Sequence, residues 1–170
     1  AEFLEQLILA KRPKRVLEIG TAIAYSSIRI ARVLGEKSLL DTIEKGKINI
    51  KLAEEFILKA GMGGKINILK GDALDLMPNL ENEYDFIFLD ADKEDYEKLF
   101  HYSLILLRKN GILFVDNLLW HGYAAAASVP ASYRKSAKII REFNRLFVNQ
   151  TSIRATIYPV GDGIGVGIKL

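Results

Sequence analysis

The sequence predicts an α/β protein: a mostly parallel sheet of seven strands between two layers of helices, with one antiparallel strand near an edge from a C-terminal β-hairpin. Three observations carry that expectation. Short apolar runs alternate with stretches of helical period along nearly the whole chain, and repeated βα units imply parallel strands joined by right-handed crossovers. The runs are nearly unbroken and stop at Gly or an acid, as strands buried on both faces do. Only the last two are separated by a tight turn, Gly161-Asp162-Gly163, which marks a hairpin.

The elements follow in order. Residues 2–10 read as a helix, and because the chain opens inside it at Ala1, an N-terminal segment is expected to be missing. Residues 15–20 form the first strand, with Val16, Leu17 and Ile19 apolar, and a helix follows over 25–34. Residues 39–44 are the second strand; 48–60 form an amphipathic helix with Ile50, Ala53, Ile57 and Leu58 on one face, stopped by Gly61, Gly63 and Gly64. Residues 65–70 are the third strand, and a short helix runs from Ala73 to Met77. The fourth strand ends at Asp90, and the next helix carries Tyr96, Leu99, Phe100 and Leu104 on one face until Asn110-Gly111. The fifth strand ends at Asp116. A loop with Trp120 and His121 leads to a helix over 132–148, then to the hairpin strands 152–158 and 164–170. Ala124–Ala127 falls in the loop and carries no functional expectation. No linker or repeat interrupts the chain, so one domain is expected.

Composition narrows the function. With 49% hydrophobic residues in 170, the chain fills one core. No apolar run approaches the roughly 20 residues of a membrane helix, so no membrane partner is expected. The chain has no Cys, which excludes disulfides and thiolate metal sites and suits a reducing cytoplasm. A net charge of +3 permits an anionic partner such as RNA, although no long Lys/Arg block marks a nucleic-acid stripe.

Chemistry concentrates where strands end. Asp90-Ala91-Asp92-Lys93 closes the fourth strand and Asp116-Asn117 the fifth. Side by side, Asp90, Asp116 and Asn117 bring three oxygen donors to the sheet edge where such folds bind ligands, a set suited to a hard divalent cation such as Mg²⁺. The plainer reading makes the two acids helix caps, which leaves their coincidence with Asn117 unexplained. Lys93 becomes a general base if desolvation lowers its pKa, and otherwise is a solvated first-turn lysine. Around the first turn, Glu18-Ile19-Gly20-Thr21-Ala22-Ile23-Ala24-Tyr25-Ser26 lacks the three-glycine dinucleotide fingerprint, since Ala22 and Ala24 stand where glycine is expected. Glu18 opposes a pyrophosphate but suits a cationic, phosphate-free cofactor such as S-adenosylmethionine. Glu44, ending the second strand, can accept from both ribose hydroxyls, or is a surface acid. Gly71-Asp72-Ala73 can line an adenine pocket, or Asp72 simply caps a helix. Trp120 offers an aromatic wall, or packs in the core.

In order and spacing, Leu17-Glu18-Ile19-Gly20-Thr21 with Tyr25-Ser26, Gly71-Asp72-Ala73, Asp90-Ala91-Asp92-Lys93, Asp116-Asn117 with Trp120-His121-Gly122, and Gly161-Asp162-Gly163 resemble the cation-dependent class I O-methyltransferases, which include catechol and caffeoyl-CoA enzymes and bacterial relatives, some acting on hydroxyuridine in tRNA. The resemblance spans essentially the whole chain. It implies a Rossmann-like three-layer sandwich, a cytoplasmic homodimer and S-adenosylmethionine held by Glu18, Gly20, Thr21, Ser26, Glu44, Asp72 and Ala73, with Asp90 and Asp92 beside it. It further implies Mg²⁺ on Asp90, Asp116 and Asn117, Lys93 with Asp92 as catalytic residues, and Trp120 against the acceptor. That acceptor is a hydroxylated aromatic or a tRNA hydroxyuridine. Two other readings compete: a nicotinamide dehydrogenase, opposed by Glu18 and the missing glycines, and a non-catalytic RNA-binding module, which leaves the Asp/Asn cluster without a purpose.

Overall fold

The computed structural model describes residues 1–170. Seven strands form one sheet in the order β3-β2-β1-β4-β5-β7-β6. Their ranges are β1 Arg15–Ile19, β2 Leu39–Glu44, β3 Ile66–Lys70, β4 Tyr84–Leu89, β5 Leu107–Val115, β6 Ile153–Tyr158 and β7 Ile164–Lys169. β1 to β5 pair in parallel, while β7 runs antiparallel to both β5 and β6. The hairpin thus inserts its second strand into the sheet and leaves its first at the edge. No helix is long and apolar enough to cross a membrane.

The period-2 pattern of the strands sorts the core into two layers. Val16, Leu40, Phe86, Phe88 and Phe114 pack with α1 (Glu2–Lys11), α2 (Tyr25–Val33) and α3 (Lys47–Lys59). Leu17, Ile19, Ile87, Leu89, Leu113 and Val115 pack against α4 (Ala73–Leu76), α5 (Tyr96–Leu106) and α6 (Arg134–Asn149). On α6, Phe143 and Phe147 meet Phe100 of α5 edge-on, at centroid distances of 5.6 and 5.8 Å. Gly165 and Gly167 of β7 leave the room that Phe147 fills: a Cβ at Gly165 would lie 2.9 Å from its ring.

Two expectations need correction. α5 ends at Leu106, and β5 begins at Leu107 rather than Gly111. Tyr84 pairs with Leu107 and Phe86 with Ile112, so two steps along β4 span five along β5. The Asn110-Gly111 signal, with Asn110 at φ 61°, belongs to this bulge and not to a helix end. On α3, Ile50, Ala53 and Ile57 are buried as expected, but Leu58 is 78% exposed. It lies one residue, about 100° of turn, beyond Ile57 on the helix.

Candidate active site

The register decides which strand ends stand together. Ile19 pairs with Ile43 and Leu89, and Leu89 pairs with Val115. The ladder continues one residue further, since Asp90 N–H donates to Ile19 O at 3.0 Å and Asp116 N–H to Leu89 O at 3.1 Å. Asp90 and Asp116 therefore leave neighbouring strands side by side. Gly20, with φ 106°, closes the gap to the first turn, where a Cβ would lie 1.9 Å from the Asp90 carbonyl oxygen. Only glycine fits there.

Glu18 shares Val16's face of β1 and so points under α2, fully buried. One carboxylate oxygen accepts from the Ser27 hydroxyl and, at 2.6 Å, from Thr42 Oγ1. Thr42 Oγ1 also lies 2.7 Å from Thr21 Oγ1, so Thr21 supports this cluster from behind the turn. The other oxygen, Glu18 Oε1, is buried without a partner. Burial raises the Glu18 pKa to about 7 against the opposing pull of the Ser26, Ser27 and Thr42 hydroxyls. An orphaned acceptor of this kind is costly and fits a cationic donor. Ser27 and Thr42 escaped the sequence reading, although pairing β1 with β2 sets Glu18 opposite Thr42. Ala22 and Ala24 hold φ of 47° and 66°, so the turn keeps glycine's conformation while carrying methyl groups.

A cavity of about 400 Å³ opens in front of this turn. Of the expected residues, Gly20, Glu44, Asp72, Ala73, Asp90 and Asp92 line it, whereas Glu18, Thr21 and Ser26 do not. Glu44 is anchored at β2's end, with Oε2 accepting from Ala22 N–H at 2.8 Å and Oε1 from Gly46 N–H at 2.6 Å. Asp72 caps α4 by accepting from Leu74 N–H at 2.9 Å, yet its carboxylate also stands 3.5 Å from Lys45 Nζ. That ammonium reaches Asp92 at 3.0 Å as well, bridging two sides of the rim. Lys45 and the lining Asn49 are further residues the sequence reading missed.

The acidic cluster converges on a lysine. Lys93 Nζ donates to Asn117 Oδ1 at 2.8 Å, sits 3.5 Å from Asp90 Oδ1 and donates to the Tyr96 hydroxyl, which donates to the Asp116 carbonyl at 3.0 Å. Burial pushes the Lys93 pKa down, against the pull of Asp90, Asp116 and Asp162. Asp116 is pushed up by burial and by the Asp90 charge. No group of three or more His, Cys, Asp or Glu side chains is arranged to hold a metal; the third oxygen is the Asn117 carboxamide. The Asp90 carboxylate and the Asn117 amide oxygen already draw in an ammonium, and with the Asp116 carboxylate at the next strand end they are the donor types a hard cation takes. Trp120 is half-buried, its ring 5.7 Å from Lys93 Nζ and its Nε1 donating to Ser136 Oγ at 2.7 Å. Asp162 takes the His121 N–H at 2.5 Å, tying the C-terminal hairpin turn to this loop.

A family model described as O-methyltransferase matches residues 1–170. The chain is 32% identical to a caffeoyl-CoA O-methyltransferase of Populus kitakamiensis, over 95% of this chain and 72% of that one. It is 31% identical to a catechol O-methyltransferase of Niastella koreensis, over 99% and 74%. Among solved structures, the O-methyltransferase TomG of Streptomyces achromogenes, involved in tomaymycin synthesis and in complex with S-adenosylmethionine, superposes with a TM-score of 0.87 at 28% identity, covering 99% of this chain and 78% of that one.

Proposed function

The chain belongs to the O-methyltransferase family, and from that premise we propose that it moves a methyl group from S-adenosylmethionine to a hydroxyl of a small aromatic acceptor with adjacent oxygens, assisted by Mg²⁺. The observation that carries this reading is that Asp90 and Asp116-Asn117 leave adjacent strand ends, with Lys93 Nζ reaching both Asp90 and Asn117, while Asp90 also lines the cavity that Glu44 anchors. When bound, S-adenosylmethionine supplies an electrophilic methyl and the cation lowers the pKa of the acceptor hydroxyl. The chain's own residues do the rest. Glu18, behind the first turn, would offer its unpartnered Oε1 to the cofactor's ammonium, and Glu44 would keep lone pairs for ribose hydroxyls beyond its bonds to Ala22 N–H, Gly46 N–H and Asn49 Nδ2. Asp72 and Ala73 border the base, and Asp92 stands at the rim. Asp90, Asp116 and Asn117 would hold the cation. Lys93, desolvated and steered by Tyr96, accepts the acceptor's proton at Nζ, and Trp120 walls the ring. Holding both reactants in line contributes on the order of 7–11 kcal/mol.

The test is transfer of labelled methyl to a catechol panel and to bulk tRNA, each with Mg²⁺ and with excess chelator. Catechol methylation that the chelator abolishes is expected. Full activity in chelator overturns the metal's role, and labelling of tRNA alone overturns the small acceptor.

A further inference from the structure

The loop between β5 and α6 is held in an unusual shape. Asn117, Trp120 and His121 all have left-handed backbone, with φ of 61°, 49° and 57°, followed by Gly122 at 82°. Such conformations persist only where the surroundings over-determine them. The hydrogen bonds name those surroundings. Arg141, in the middle of α6, aims its guanidinium back at the loop: Nε donates to Ala124 O at 3.0 Å, and Nη2 to Tyr123 O at 2.9 Å and Ala126 O at 2.5 Å. One turn later Asn144 donates to Leu118 O at 2.8 Å, and two turns earlier Arg134 donates to Val129 O at 3.2 Å. Spacings of seven and three put all three on one side of the helix, next to the face that buries Ala137, Ile140, Phe143 and Phe147. The grip is on main-chain carbonyls, so alanines in the loop satisfy it as well as any other residue.

We propose that Arg141 is a positioning residue that sets the shape of the acceptor loop, and through it the place of Trp120, without touching either reactant. This rests on the methyltransferase reading only for its kinetic consequence. Arginine suits the task because its planar fork donates in several fixed directions, which a lysine ammonium does not reproduce. Asp162 holds the same loop independently through His121 N–H, so loss of Arg141 removes one anchor and leaves another.

Trp120 is the chain's single tryptophan, so its fluorescence reads the surroundings of that one side chain, with or without turnover. In Arg141→Met, the emission is expected to shift to the red and acrylamide quenching to rise. KM for the catechol should rise on the order of tenfold or more, as small misplacements near a reacting centre do, with S-adenosylmethionine Kd held within about twofold, as for a distant site. Arg141→Lys should fall between. Unchanged emission and quenching in Arg141→Met overturn the proposal, and so does an equal loss of cofactor affinity, which marks general damage. If the Met variant does not fold, Arg141→Lys and Arg141→Gln make the same comparison. A wild-type protein without methyl transfer sinks the functional reading while the fluorescence still decides the role of Arg141.

Discussion

Glu18 couples cofactor binding to protons. Its folded-state pKa of about 7 lies above the ordinary 4.5, so the native chain holds this proton more tightly than the unfolded one. The stability it contributes is complete below about pH 4.5, declines as pH rises and is gone above about 7; the gap corresponds to on the order of 3 kcal/mol. Glu18→Gln removes that slope, so the ligand-free variant should outlast the wild type in urea at pH 8 while binding S-adenosylmethionine poorly. In the wild type at pH 6, an ammonium beside Oε1 favours the carboxylate. Binding should therefore release a proton, read by calorimetry in two buffers of different ionisation heat. Ala22 poses a separate question of strain. Its methyl is exposed at φ 47°, and left-handed backbone costs about 1–2 kcal/mol, so Ala22→Gly should raise stability by about 1 kcal/mol, seen as a higher thermal midpoint. At Ala24 the same change also removes a buried methyl, which cancels about 0.8 kcal/mol of the gain.

Among the elements, α6 does two jobs with two faces. Its apolar face seats Phe147 against Phe100 and the β7 glycines, and Phe147→Ala should cost about 3–5 kcal/mol in chemical denaturation. The bulge in β5 is equally specific. A Cβ on Gly111 would lie 2.7 Å from both the Arg108 carbonyl and Leu107 Cδ1, so Gly111→Ala should destabilise by about 1–3 kcal/mol. These elements show what the sequence makes legible. Apolar runs ending in Gly or Asp disclosed the strands, and the strand-end acids pointed to half of the proposed site, because both follow from local pattern. The start of β5 was misread because Asn-Gly serves a helix end and a bulge alike. Ser27, Thr42, Lys45 and Arg141 escaped because their partners lie across the fold: nothing local tells an arginine on a basic helix that three carbonyls 15 to 18 residues away will need it.

At the scale of the whole molecule, one sheet edge carries both halves of the proposed reaction. They are expected to separate by experiment. S-adenosylmethionine at 100 times its Kd should add about 2.7 kcal/mol, a rise in thermal midpoint of about 5–11 °C for a chain of this size. Excess chelator should leave most of that rise while abolishing turnover. Asp90→Ala should abolish metal-dependent turnover and keep part of the rise, since Asp90 borders the cavity as well as the cluster. The bare contact of Gly20 on the Asp90 carbonyl has a consequence for how such a catalyst diversifies. The first turn and the strand-end acids meet backbone to backbone, so no side chain at that junction can push the two halves of the edge apart. New acceptors can then be accommodated by rewriting the 118–129 loop and the helix that grips it, while the junction of turn and acids stays as it is, like a tool whose jaws are exchanged around a fixed hinge.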